Sequence, residues 1–313
     1  MFDPPSDQPQ SVGDLIGRAF RVYRRNIPLF FKVLIGPTIF ATVGALGLQW
    51  AITYGVSPES THTISLPLLF GVIVCSLLIV AIAKWVLVVR QLAFVRIMAG
   101  FAGDYPTAYQ FVAQRKWAVL ALYFTGIALI AAVFVAWVLE VALTALLPRV
   151  GLAMALLTVV GVTVGIVGMI ASICLIVLVG FLVFSAAACE DVSLNTLISR
   201  GVSLTMHDFG RSLAFGILLF IAITAISYPL TLPVVLLSLV DMFQQGLTSE
   251  TIVESYRMPF YLMVVGQVWE SLVNMLLWPV IFMAYGLFYY DLRLRQEGLD
   301  LTMRLDALQR PTA

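Results

Sequence analysis

Six long apolar runs constrain this chain more than any other feature, at about 28–51, 67–89, 117–147, 151–188, 212–239 and 261–290. A helix of about 20 apolar residues is long enough to cross the ~30 Å hydrocarbon core of a bilayer. Lipid offers no hydrogen-bond partners, so a crossing segment must satisfy its own backbone, which a helix does. The third and fourth runs exceed that length and are expected to tilt or to project into water. Composition points the same way: hydrophobic residues make up 61% of the chain and charged residues 11%, whereas a soluble domain carries about 25% charged residues. The expected fold is an all-α integral membrane protein with six transmembrane helices.

The charges are segregated, so the net charge of +1 hides their meaning. With the six runs read as alternating spans, 16 of the 18 Lys and Arg residues fall on the side that holds both termini, and only Arg149 and Arg257 fall on the other. Acidic residues divide 11 to 6, a weaker bias in the same direction. The asymmetry is therefore one of Lys and Arg, the quantity that sets orientation, and it predicts that both termini are cytoplasmic. Trp50, Trp117, Tyr261, Tyr289 and Tyr290 stand at span edges as interfacial aromatics do. Pro37, Pro229, Pro233 and Pro279 lie inside spans and are expected to kink them, and Gly180 is a further place to bend. The opening stretch MFDPPSDQPQ reads as a disordered N-terminus over 1–10, with no cleavable signal peptide.

Between the disordered start and the first span, SVGDLIGRAFRVYRRNI at 11–27 has the period of a helix with one apolar face. Val12, Leu15, Ile16, Ala19, Phe20, Tyr23 and Ile27 share that face, with Asp14, Arg18, Arg21 and Arg25 opposite. Ser11 and Asp14 resemble a capping box. A basic amphipathic helix ahead of a span is expected to lie in the headgroup layer, apolar face down. The pattern returns at 193–209, where Ser193, Leu194, Leu197, Ile198 and Arg200 answer Ser11, Val12, Leu15, Ile16 and Arg18. A weaker copy opens at Thr107, with Gln110 completing a capping box and Ala108, Phe111 and Val112 in the places of Val12, Leu15 and Ile16. This predicts three parallel repeats, each a surface helix followed by a two-span hairpin. The expected organisation is a membrane domain over 11–298, with units at about 11–100, 107–188 and 193–298, and a cytoplasmic tail over 299–313. In that tail Leu299, Leu301, Met303 and Leu305 alternate with polar residues, while Leu301, Leu305 and Leu308 also suit a helix face.

Ionisable groups inside a membrane cost about 2.5–3.5 kcal/mol on insertion scales, so they are the first places to look for chemistry. Gln267, Glu270, Ser271 and Asn274 share one face of the sixth span, with Glu140 of the third span at similar depth. They form the candidate intramembrane polar site, with Glu270 as a proton or cation acceptor or, alternatively, the set as interhelical glue. Arg18, Arg21, Arg24 and Arg25 are candidate contacts for anionic lipid headgroups, and Lys84 is expected to snorkel to the nearby boundary. Glu190, Asp191, His207 and Asp208 are polar neighbours in sequence and read as a solvated loop or helix cap. Gly161, Gly165 and Gly168 have the spacing of close helix packing. Cys75, Cys174 and Cys189 lack metal-ligand spacing and read as buried thiols. There is no HExxH, GxSxG or GxxxxGK[ST] run, so no catalytic residue, metal or cofactor is expected.

GDLIGRAFRVYRRN before the first span and YYDLRLRQEGLDL after the last resemble bacterial membrane proteins classed as glycerophosphoryl diester phosphodiesterase membrane-domain-like. The resemblance covers about residues 11–301 and implies a six-span fold in a bacterial inner membrane. Some members of that family are fused to a soluble phosphodiesterase barrel, for which this chain leaves no room, so hydrolase activity is not carried over. The expected function is that of a non-enzymatic scaffold or membrane subunit of an envelope or lipid-handling assembly. Membrane lipids, and a protein partner reached through the surface helices and tail, are the expected contacts, with no nucleic acid. The alternative is a transporter or channel-like subunit for a small solute or lipid, built around Glu270.

Overall fold

The computed structural model describes residues 8–55, 65–146, 152–244 and 259–296. They form eight α-helices and no strand: α1 (Val12–Trp50), α2 (Leu66–Met98), α3 (Tyr105–Gln114), α4 (Lys116–Leu146), α5 (Leu152–Cys189), α6 (Leu194–His207), α7 (Phe209–Gln244) and α8 (Phe260–Gln296). A π-helical turn, Ala51–Gly55, continues α1. Six of the eight, all but α3 and α6, are long and apolar enough to cross a membrane. α5 runs as one helix through Gly180. α8 is the most enclosed span, with 67% of its most apolar stretch buried against 11% in α4 and α7. The predicted tail, 299–313, lies outside the described residues.

The chain packs as two compact units whose boundaries fall within α2, α7 and α8. The first comprises Ser11–Phe94 and Ile217–Ala284. In it α1 approaches α2 closely. A Cβ on Gly44 would meet the Ser76 carbonyl at 3.0 Å, and one on Gly47 would meet the Ser76 hydroxyl at 2.5 Å, the small-residue contact that lets helix backbones approach in lipid. Pro37 has no N–H to offer the Val33 carbonyl, and the Arg90 guanidinium donates to that oxygen instead. The rings of Tyr23, Phe30 and Phe94 pack in succession, tilted to one another, with centroids 5.0 and 4.2 Å apart.

The second unit comprises Val95–Gly216 with residues 8–10 and 285–296. Here α4 and α5 form a hairpin, and α3 and α6 lie on α5. Gly100, at φ 78°, ends α2 with the hydrogen bonds of a Schellman motif, Phe101 N to Arg96 O at 3.1 Å among them. Phe215 stacks on Phe288 at 4.1 Å, and Phe181 stacks on Tyr285 at 4.6 Å.

Two of the helix starts share a serine cap. Ser11 accepts from the Asp14 N–H at 3.2 Å and donates to its carboxylate at 2.5 Å, and Ser193 accepts from the Thr196 N–H at 3.4 Å. The Thr107–Gln110 capping box does not form: Thr107 lies inside α3, whose N-cap is Asp104, with Pro106 setting the first turn. Each surface helix then reaches its span through one non-helical residue. These are Asn26 (φ −120°, ψ 17°), Arg115 (φ −100°, ψ 14°) and Asp208 (φ −126°, ψ 54°). At the first junction Pro28 withholds the N–H that the Arg24 carbonyl would accept, and the Asn26 side chain turns back to the Val22 carbonyl at 2.9 Å. Seven residues ahead of the three junctions stand Ala19, Ala108 and Gly201, all small and buried.

The apolar faces of these helices are buried in protein, not laid in headgroups as the sequence led us to expect. Leu15, Ala19 and Val22 of α1, Ala108 and Val112 of α3, and Leu197 and Leu204 of α6 are all buried. Two thiols also depart from expectation: Cys75 and Cys174 are exposed, and only Cys189 is buried. Within the opening stretch read as disordered, Gln10 is held at both its N–H and its carbonyl.

Candidate functional site

The densest polar assembly lies in the second unit, where the end of α5 meets charged side chains from α2, α6 and α8 and from the α3–α4 junction. A helix leaves its last carbonyls without intrahelical partners, and those oxygens carry the negative end of the dipole. Two arginines take them here. Arg96 donates to the Ala188 and Cys189 carbonyls at 3.0 and 3.1 Å, with its guanidinium 3.5 Å from the centre of the Phe111 ring. Arg115, at the junction residue itself, donates to the Ala187, Glu190 and Val192 carbonyls and lies 3.6 Å from Asp191.

The residue just past the end of α5 is Glu190, whose side chain is 9% exposed. Its carboxylate receives three donors: Arg200 of α6 at 2.6 Å, Arg293 of α8 at 3.2 Å, and the Tyr289 hydroxyl. Asp291 is buried more deeply, at 3%, and also receives three donors. They are Arg211 of α7 at 2.7 Å, Arg295 one turn along α8 at 3.0 Å, and the Gln10 N–H at 2.7 Å. Arg211 and Arg295 in turn hold the Gln10 carbonyl at 2.7 and 3.1 Å. Each carboxylate is thus matched by two guanidiniums and one further donor, the arrangement that keeps a buried charge tolerable. Chemically the assembly fastens helix ends. Glu190, read from sequence as part of a solvated loop, is its centre.

The predicted intramembrane site is distributed differently. Gln267 and Asn274 are half-buried on α8, Glu270 is exposed, and Asn274 accepts from the Trp278 indole at 3.2 Å. Ser271, on the same face, meets the Thr42 hydroxyl of α1 at 2.7 Å, a bond of the kind that joins helices in lipid. Glu270 precedes Tyr290 by about 30 Å of helix, the thickness of the hydrocarbon core. Glu140 belongs to the second unit, half-buried, with its carboxylate filling the space that a Cβ on Gly165 would take. Gly168, by contrast, has nothing within 4 Å of that position. Of the arginines read as lipid contacts, Arg21, Arg24 and Arg25 are exposed and Arg18 is half-buried. Among the described residues no group of three or more His, Cys, Asp and Glu could hold a metal ion.

One part of the fastening was within reach of the sequence. Asp291 and Arg295 stand four residues apart on one helix, a spacing that predicts their pairing. Nothing local links Glu190 to Arg200, Arg293 or Tyr289.

Six membrane-length apolar helices in an all-helical chain define a polytopic integral membrane protein. Comparison with known proteins finds no family, curated protein or solved structure that matches it.

Proposed function

We propose that this chain is a multi-pass protein of a bacterial inner membrane, both termini cytoplasmic, that serves without catalysis as a scaffold or membrane subunit of an envelope or lipid-handling assembly. The Lys and Arg distribution supports the orientation. The observation that carries the scaffold reading is the state of Glu190 and Asp291: the most polar part of the described chain is consumed in joining its own helix ends. The shared junctions and small buried residues of α1, α3 and α6, and the serine caps of α1 and α6, support three repeated units, each a surface helix followed by two spans. Kinship with the glycerophosphoryl diester phosphodiesterase membrane-domain-like proteins is part of the same reading, limited to fold and location.

A partner would meet the outward face of α6. There Ser199, Ser203 and His207 are exposed around Val202 and Met206, which are 38% and 47% exposed. A photoreactive amino acid at Met206, irradiated in cells, is expected to give one discrete protein adduct. The same group at Leu129, on an exposed part of α4, is expected to give none. Lipid adducts alone at both positions would remove the partner. The transport alternative is tested by Glu270→Gln, which is expected to insert, fold and complement a deletion strain as the wild type does. Loss of complementation by a folded Glu270→Gln protein would move the reading to transport.

A further inference from the structure

α1 keeps one exposed face on either side of its kink, and the chemistry of that face changes along the helix. Around the kink the exposed residues include Arg21, Arg24 and Lys32. Beyond it they include Ile35, Ile39, Phe40 and Val43, 47%, 54%, 66% and 56% exposed. The spacings, 21 to 24 before the kink and 32, 35, 39 and 43 after it, are those of one side of a helix. The other side is committed to protein: Leu15, Ala19, Phe30 and Leu34 are each at most 2% exposed. The sequence has no acidic residue between Asp14 and Glu59. Arg21, Arg24 and Lys32 make no ion pair among the described residues. Fixed positive charge is therefore followed directly by exposed aliphatic side chains. From Lys32 to Val43 the helix rises about 16 Å, close to the ~15 Å of one leaflet's hydrocarbon.

We propose that this face binds anionic membrane phospholipid, with Arg21, Arg24 and Lys32 taking headgroup phosphates along the helix and an acyl chain lying along Ile35, Ile39 and Val43. Guanidinium groups suit the phosphate because their planar donors match its oxygens in pairs. The exposed aliphatic row sets the occupant apart from a soluble anion, which would have no use for it. The proposal rests on the membrane reading and not on the scaffold role, so absence of a crosslinked partner at Met206 leaves it standing.

The test is native mass spectrometry of the purified full-length chain in mild detergent, offered equal amounts of phosphatidylglycerol and phosphatidylcholine. The wild type is expected to retain phosphatidylglycerol preferentially. The R21Q/R24Q/K32Q variant is expected to lose that preference, by about fivefold for each charge removed, while R21K/R24K keeps most of it. Size-exclusion profile and thermal midpoint verify folding, and R24Q alone, with its expected fivefold loss, serves if the triple variant does not fold. Glycerophosphoglycerol and inorganic phosphate, added as competitors, are expected to displace nothing. Displacement by either would reassign the cations to a soluble phosphate ester and overturn the lipid. Equal retention of the two phospholipids by the wild type, or an unchanged preference in a folded Gln variant, would overturn the site itself.

Discussion

A carboxylate withdrawn from water is held by what surrounds it, and Glu190 and Asp291 are each surrounded by two guanidiniums and a third donor. Removing one member of such a set leaves the others buried without compensation, which is more damaging than the net worth of the pair. Glu190→Gln keeps the shape, removes the charge and leaves Arg200 and Arg293 facing each other. It is expected to destabilise the protein by about 3 kcal/mol, the lower end of the range for buried pairs, because Arg200 is 28% exposed and partly screened. The measurement is the shift in denaturation midpoint of the purified protein in one detergent. Adding Arg200→Gln should recover part of the loss, and full additivity of the two changes would refute the pairing. At this scale only the Asp291–Arg295 pair was within reach of the sequence, because their spacing is local. Glu190 and Arg293 are 103 positions apart, and no periodicity connects them.

Among the elements, the surface helices were the most legible, because caps and apolar faces are local patterns. Ser11 and Ser193 cap where the sequence placed them. The middle helix was misread because Thr107 imitates a cap while Asp104 and Pro106 begin the turn earlier. Legible too was that each helix has an apolar face, but not that protein would cover it. The small residue seven positions before each junction acquires its meaning only from that cover. A Cβ on Gly201 would stand 3.2 Å from the Cα and the backbone nitrogen of Val183, and backbone cannot move aside as a side-chain tip can. Gly201→Leu is therefore expected to lift α6 from α5 at about 1–3 kcal/mol. Hydrogen exchange should accelerate across 194–207 while membrane insertion is retained. Gly168→Ala, where the added Cβ meets nothing within 4 Å, is the neutral control. Equal protection of α6 in Gly201→Leu and wild type would show that the close approach does not matter.

For the whole molecule, the Lys and Arg asymmetry makes a prediction that labelling can check. In a chain whose Cys75, Cys174 and Cys189 are replaced by Ala, a cysteine introduced at Asp104 or Ser193 should react with a membrane-impermeant reagent only after the membrane is opened. One at Thr251 should react in intact cells, and the opposite pattern would invert the topology. Six spans of adequate length, their helical character and their approximate ends follow from the sequence alone, since each depends on a run of apolar residues and on hydrogen bonds closed within a few positions. The pairing of Arg90 with the Val33 carbonyl that Pro37 orphans, the capture of α5's last carbonyls by Arg96 and Arg115, and the seating of Gln10 on Asp291 belong to the tertiary structure. They join residues 57 to 281 positions apart, and only the packing of helices decides which buried charge finds which partner.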